Sequence, residues 1–374
     1  MATPAADAVL FFIPDLGGFT KFVTETEIRH SQHIIKELLE LLVDANAIGL
    51  KVAEFEGDAV LFYRPGTPPT LPELVQQAKA MYLALHAYLR KFAFTNVCPC
   101  GACSAVPCIT LKMVAHFGAA RVMQVKDHSK FIGRDIIVAH RLLKNSVAVV
   151  EYLLVTHATL AGVADGDREI ASFVTGADTY DALGTVEYYF KALEPYRNEV
   201  KVEPPTPVRL ARPHLMKRLM QRIEAPIEHV AQRVIDLPGR MQWVDGIVRV
   251  ELPGDSANCI GTTHRYVRAA GDIAVMTSAM ANTDTTFELW ETDLKRTFAL
   301  RWLLTRVAEG KTDLAVEFLS GSNAIARLVF KAFVERKLTA CFARSIANLA
   351  ALCERTAGPA AQSGRQDVKT AGAV

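Results

Sequence analysis

The chain has 374 residues, 42 basic and 40 acidic side chains, a net charge of +2, and 50% hydrophobic residues. That length favours two domains over one, and the apolar share can bury a sizeable core. Near-balanced charge gives no electrostatic reason to expect nucleic acid or an anionic membrane as partner. No basic segment precedes the first apolar run, so no signal peptide is expected, and no apolar stretch reaches transmembrane length. Four of the seven cysteines are bunched, which suits a reducing compartment better than a disulfide scaffold. A cytoplasmic protein without a membrane span is expected.

Val9 to Ile13 is a buried strand by its unbroken apolar run. It ends at Asp15, and Gly17 and Gly18 lead through Phe19 to Thr20. A helix with Ser31 as N-cap follows to Ala45. Residues 50–63 read as a hairpin whose turn is Glu56-Gly57-Asp58. Prolines punctuate 65–72, a helix spans about 73–92, and the cysteine cluster occupies 98–108. Strands at 109–117 and 119–125, a helix at 133–145 and a strand at 149–155 complete a β-α-β-β-α-β-β-α-β order, which is ferredoxin-like with additions, and a final strand follows at 184–193. Glu203-Pro204-Pro205-Thr206-Pro207 is a stiff extended linker. A strand at 215–224, short helices to Trp243 and six strands between 247 and 319 come next. A long amphipathic helix over 322–354 carries Ile325, Leu328, Val329, Phe333, Leu338, Phe342, Ile346 and Leu349 on its apolar side. The residues after Thr356 have no packing face and are expected to be disordered.

A carboxylate at a strand's mouth, then a glycine turn, can hold a metal while backbone N–H groups of Gly17, Gly18, Phe19 and Thr20 take phosphate oxygens. If the hairpin pairs beside the first strand, Asp58 comes within reach of Asp15. Two carboxylates on one sheet edge suit Mg²⁺ or Mn²⁺. Both are also the residue type that turns favour.

Asp15-Leu16-Gly17-Gly18-Phe19-Thr20, Gly57-Asp58, His116-Phe117-Gly118, and Gly133 with Arg141 eight residues on stand in the order of the class III nucleotidyl cyclase motifs. Residues 7–195 resemble that family. The run from Gly133 to Ser146, with the cysteine cluster before it, is most similar to an uncharacterised cyclase-like bacterial family. The resemblance implies a metal pair of Asp15 and Asp58 with the Leu16 carbonyl beside them. It implies base-reading positions at Glu54 and Lys130, a transition-state arginine at Arg141, a nucleoside triphosphate as ligand, and a homodimer. Glu54 and Lys130 could equally neutralise one another as an ion pair. The family's ribose-binding asparagine is expected four residues after Gly133, where this chain has Ile137. Ile cannot hydrogen-bond, which counts against catalysis.

Cys98, Cys100, Cys103 and Cys108 fall within eleven residues and could wrap one tetrahedral Zn²⁺, or remain a loop of thiols or a redox pair. The run from Ile223 to Ile247 resembles the START-like (SRPBCC, polyketide cyclase-like) superfamily. That resemblance implies a cavity for a small hydrophobic ligand. Trp243, His264, Trp290, Arg301 and Trp302 are its candidate lining, each also readable as plain core.

The expected fold class is therefore α+β, a ferredoxin-like cyclase-type domain followed by a helix-grip (START-like) domain. The expected boundaries are 1–202 for the first, with its cysteine-rich insert, 203–212 for the linker, 213–355 for the second, and 356–374 for the tail. The expected function is sensing or binding by a cyclase-like module of reduced activity joined to a hydrophobic-ligand module. The rivals are an active guanylyl or adenylyl cyclase and a lipid- or polyketide-modifying enzyme.

Overall fold

A computed structural model describes residues 7–18, 28–97, 101–160, 170–204, 208, 210, 212–252, 259–269, 271–321 and 335–356. The chain divides into two compact units, Met1–Phe94 with Cys100–Glu203, and Thr95–Pro99 with Pro204–Val374. No helix among the described residues is long and apolar enough to cross a membrane.

The first unit is built on β1 (Asp7–Gly17). Leu10, Phe11, Phe12 and Ile13 are fully buried, so both faces of this strand are covered. That explains why the run is apolar at every position rather than at alternate ones. Then come α1 (Ile28–Asp44), β2 (Lys51–Glu56), β3 (Ala59–Pro65), α2 (Leu71–Thr95) and the short α3 (Gly101–Ala105). β4 (Thr110–Val125), β5 (His128–Ile132), α4 (Arg134–Arg141), β6 (Tyr152–Thr156), β7 (Val174–Tyr180) and β8 (Gly184–Ala192) complete it. The sheet order is β2-β3-β1-β4-β6-β8-β7, with β5 paired to β4. β4 and β6 run parallel, and the other pairs are antiparallel. Val9, Phe11 and Ile13 face α4, where Ile136 and Ala139 close the cluster.

β4 is one strand where two were expected. Gly118 does not break the strand; it is a point of close approach. A Cβ there would lie 2.3 Å from a side-chain carbon of Asp135. Asp135 accepts the Ala119 N–H at 2.7 Å and faces His116 Nε2 at 3.3 Å. The helix expected over 133–145 ends at Arg141 and tightens into a 3₁₀ turn over Leu142–Lys144. β5 and β7 were not expected; β7 is a polar edge strand with no buried face to give it a pattern.

The second unit contains β9 (His214–Ile223), α5 (Ile227–Ile235), β10 (Ile247–Glu251), β11 (Thr263–Arg268) and β12 (Ile273–Asn282). β13 (Thr286–Asp293), β14 (Phe298–Ala308), β15 (Lys311–Ser320) and α6 (Glu335–Thr356) follow. Its sheet is antiparallel throughout, in the order β10-β11-β12-β13-β14-β15-β9. Ile346, Leu349, Ala350 and Cys353 of α6 pack with Trp243, Trp302, Leu304 and Phe318 in one core, and Leu338 and Phe342 lie against it. A long helix gripped by an antiparallel sheet is the expected helix-grip architecture. The expected helix residues Ile325, Leu328, Val329 and Phe333 lie outside the described residues, as do the linker residues Pro205 to Pro207 and the tail from 357. Leu210 is buried with Ala279, Trp290, Ala299 and Leu319.

Candidate functional site

The geometry of the first unit's site follows from strand register. Asp15 stands between Ala59 on β3 and Lys112 on β4. The β2–β3 turn is possible because Gly57 takes φ +68°, a left-handed value that side chains resist. That turn carries Asp58 to the end of β1, where its carbonyl accepts the Leu16 N–H at 3.1 Å. Burial pushes the Asp15 carboxyl up, and Lys112 opposes that shift. Asp58 is also raised, by burial first and by the charge of Asp15 second. The two carboxylates therefore feel one another. Gly17 ends β1 opposite Thr110, and Gly18 follows it. Phe19 and Thr20 lie outside the described residues.

Two carboxylates and the Leu16 carbonyl are hard oxygen donors, the set that Mg²⁺ or Mn²⁺ takes together with substrate phosphates. The residues present fit such an ion. Among the described residues there is no group of three or more His, Cys, Asp or Glu that could hold a metal by itself. Lys112, which sequence reasoning passed over, places its Nζ 3.1 Å from Asp15 Oδ2 and donates to the Leu143 carbonyl at 2.8 Å. A charged residue inside an otherwise apolar strand was the available signal.

Glu54 and Lys130 do meet, with Nζ 3.6 Å from Oε2. Two residues unforeseen in the sequence join them. Glu56 lies beside Glu54 on β2, and His140 Nδ1 of α4 sits 3.2 Å from Glu56 Oε2. Burial, then the Glu54 carboxyl, push Glu56 up to about 7. Arg141 is exposed at the end of α4, one turn beyond Ile137, which is 50% exposed. Four-residue spacing puts both on one helix face. Of the cysteines, Cys103 is buried and Cys108 exposed. Cys98 and Cys100 lie outside the described residues.

In the second unit, alternation along the strands separates the expected ligand residues. Trp302 faces the core and meets Trp243 edge-on, with centroids 5.7 Å apart. Trp290 and Arg301 face the other side of the sheet. Trp290 packs with Leu210 there, and Arg301 bonds Glu288 at 2.7 Å and Glu317 at 3.0 Å. Assigning these two to the interior ligand site is corrected by that alternation. The interior holds a buried polar network instead. Glu291 accepts from Arg240 at 2.6 Å and Trp302 Nε1 at 2.7 Å, and lies 3.0 Å from His264 Nε2. The Tyr266 hydroxyl donates to Glu291 at 3.2 Å and accepts from Arg240. Burial alone would raise Glu291, but Arg240, then His264 and Trp302, outweigh it and hold the carboxyl well below its ordinary range. A cavity of 90 Å³ adjoins this network, walled by Arg240, Tyr266, Glu291, Trp302, Leu338 and Phe342 among others. Arg240, Tyr266 and Glu291 were not expected at the site: Tyr266 and Glu291 are single polar residues in alternating strands, which look solvent-facing, and Arg240 lies in the 3₁₀ turn Pro238–Gln242, where a charged residue reads as surface.

Comparison with known proteins places these features. Residues 35–152 match the family model described as "Protein of unknown function (DUF2652)". Residues 218–354 match that described as "Polyketide cyclase / dehydrase and lipid transport". The uncharacterized protein Rv2561/Rv2562 of Mycobacterium tuberculosis is 33% identical over 156 residues, 41% of this chain and 71% of that protein. The chain belongs to the Rv2561/Rv2562 family. Among solved structures, the guanylate cyclase domain of RhGC from Catenaria anguillulae in complex with GTP is 19% identical. The match covers 50% of this chain and 97% of that one, with a TM-score of 0.34. The adenylyl cyclase CyaB from P. aeruginosa is 16% identical over 49% of this chain and 93% of that one, with a TM-score of 0.32. For this member of the Rv2561/Rv2562 family, the cyclase-type description of the first unit rests on strand order and motif order rather than on those superpositions.

Proposed function

We propose that the first unit binds a nucleoside triphosphate with Mg²⁺ or Mn²⁺ but turns it over very slowly, and that the second binds a small hydrophobic molecule. On this reading the domains run over 1–202 and 213–355. The observation that carries the reading is the pairing of an intact carboxylate edge, Asp15 and Asp58, with an exposed apolar Ile137 on the face that also presents Arg141. A bound ion would neutralise triphosphate charge and make a ribose hydroxyl more acidic. Asp15 and Asp58 would hold it, and the N–H groups after Asp15 would orient the phosphates. Ile137 offers no donor to a group that gains charge in the transition state. One such donor is worth about 2.7–4 kcal/mol, or roughly 10²–10³ in turnover. Ground-state contacts to metal and phosphate survive its loss.

The test is a pair of variants. Asp58→Ala is expected to abolish Mn²⁺-dependent nucleotide binding, and Ile137→Asn to raise any trace of cyclic product. Retained binding in the first would remove the carboxylate edge from the account. A homodimer is part of the proposal: Phe55, Val122, Val125 and Ile137 are large apolar side chains, each at least half exposed. That is surface a partner copy would cover.

For the second unit, the family match supports an apolar ligand, and size restricts it. A cavity of 90 Å³ is smaller than the roughly 150 Å³ that admits benzene. A ligand larger than this cavity, bound there, would displace Leu338, Cys341 and Phe342 on α6, which wall it. Binding should raise the unit's melting temperature by mass action, and a screen of fatty acids, sterols and aromatic polyketides reads this directly. No shift with any of them would make the interior a structural core.

A further inference from the structure

Lys112 is held against the carboxylate edge by the fold rather than by a chance rotamer. β1 and β4 pair antiparallel with Asp15 directly opposite Lys112. Directly opposed residues put their side chains on the same face, with Cβ atoms roughly 4.5–5.5 Å apart. The ammonium lies 3.1 Å from Asp15 Oδ2, and a second acceptor, the Leu143 carbonyl at 2.8 Å, anchors it there. Both side chains are mostly shielded, Lys112 at 27% and Asp15 at 15% exposed. Its charge also reaches Asp58, whose carboxyl it stabilises against burial and against Asp15.

A Mg²⁺ ion sits about 2.0–2.1 Å from a carboxylate oxygen. An ammonium already bonded to that oxygen would be forced into close repulsive contact with it. Two carboxylates less one ammonium also leave one net negative charge instead of two, which weakens the attraction for a divalent ion.

We propose that Lys112 is a tethered cation that competes with Mg²⁺ or Mn²⁺ for Asp15, so that the ammonium must withdraw before the ion binds. This rests on the reading of Asp15 and Asp58 as a metal pair. Because Leu143 lies just past Arg141, the withdrawal also frees the ammonium's tie to the turn that follows the arginine helix. Metal entry and that turn are thereby linked.

The experiment is Mn²⁺ binding to the full chain, read by electron paramagnetic resonance without any nucleotide. Lys112→Met and Lys112→Gln are each expected to tighten Mn²⁺ binding at least tenfold, and Asp15→Asn with Lys112→Met to lose it. Equal affinity in the unaltered chain and both lysine variants overturns the proposal and leaves the metal pair standing. No binding in any of them overturns both. Should either variant fail to fold, the unaltered protein crystallised with Mn²⁺ decides. The proposal expects Nζ beyond about 4 Å from Asp15 Oδ2, out of ion-pair range. An ammonium still bonded beside a bound Mn²⁺ overturns it.

Discussion

Replacing Glu291 by Ala should unfold the second unit more readily than any exposed substitution in it. Arg240 and Glu291 are 1% and 2% exposed. Removing the carboxylate leaves a guanidinium, a tyrosine hydroxyl, a histidine nitrogen and an indole N–H without their shared acceptor. Breaking a buried pair from one side costs about 3–5 kcal/mol. For a unit of this size each kcal/mol moves Tm by about 2–4 °C, so a drop of about 6–20 °C is expected. The chain has three tryptophans, all in this unit, so intrinsic fluorescence during denaturation reports on it alone. The control is Arg240→Met combined with Glu291→Leu. It removes both charges together and should recover at least half of the loss, since a well-packed apolar pair often replaces a buried ion pair without cost. The sign with pH follows from the lowered carboxyl. Its stabilisation is present above the ordinary value of 4.5 and is lost as pH falls below it. A loss under about 1 kcal/mol for Glu291→Ala would refute the reasoning, because it would place the pair in the range of exposed ion pairs.

The cysteine cluster is expected to hold about one zinc per chain in protein purified without chelator. Metal content near zero, with all seven thiols titratable in the native state, would remove it. Glu56→Gln should change the pH dependence of stability. The raised carboxyl contributes fully below 4.5, and that contribution is lost as pH rises through about 7, so the glutamine variant gains on the parent across that interval. Melting curves in EDTA check this, and parallel curves would contradict it. Val122→Asp puts a charge on a side chain that is 60% exposed, and should shift a dimer toward monomer in light scattering without lowering Tm. An unchanged mass would place the interface elsewhere.

The fold was legible where burial is one-sided or complete. The unbroken run from Val9 to Ile13 marked the central strand because both of its faces are covered. The four-and-three spacing of Leu338, Phe342, Ile346 and Leu349 marked the closing helix because one face meets the sheet. β7 was missed because an exposed polar edge strand carries no such imprint, and β5 because Phe131 alone of its described side chains packs against the core, which leaves no period to read. The carboxylate pair was legible because Asp15 ends an unbroken apolar strand and Asp58 sits in a tight hairpin turn, two marked positions that the β1–β3 pairing then brings together. Lys112 was not, because its place depends on register between strands nearly a hundred residues apart. The buried network has the same origin. Arg240, Tyr266 and Glu291 come from three separate segments, two strands and a 3₁₀ turn, and only the folded unit brings them together.

The central claim is that the carboxylate edge binds a metal nucleotide while chemistry is nearly lost. Calorimetric titration of the full chain with GTP and with ATP in Mn²⁺, followed by chromatography of the same samples for cyclic product, tests it most directly. The account predicts saturable, chelator-sensitive binding of at least one nucleotide, with product absent or at trace level after prolonged incubation. Rapid cyclic-nucleotide formation, or no binding of either nucleotide, would contradict it.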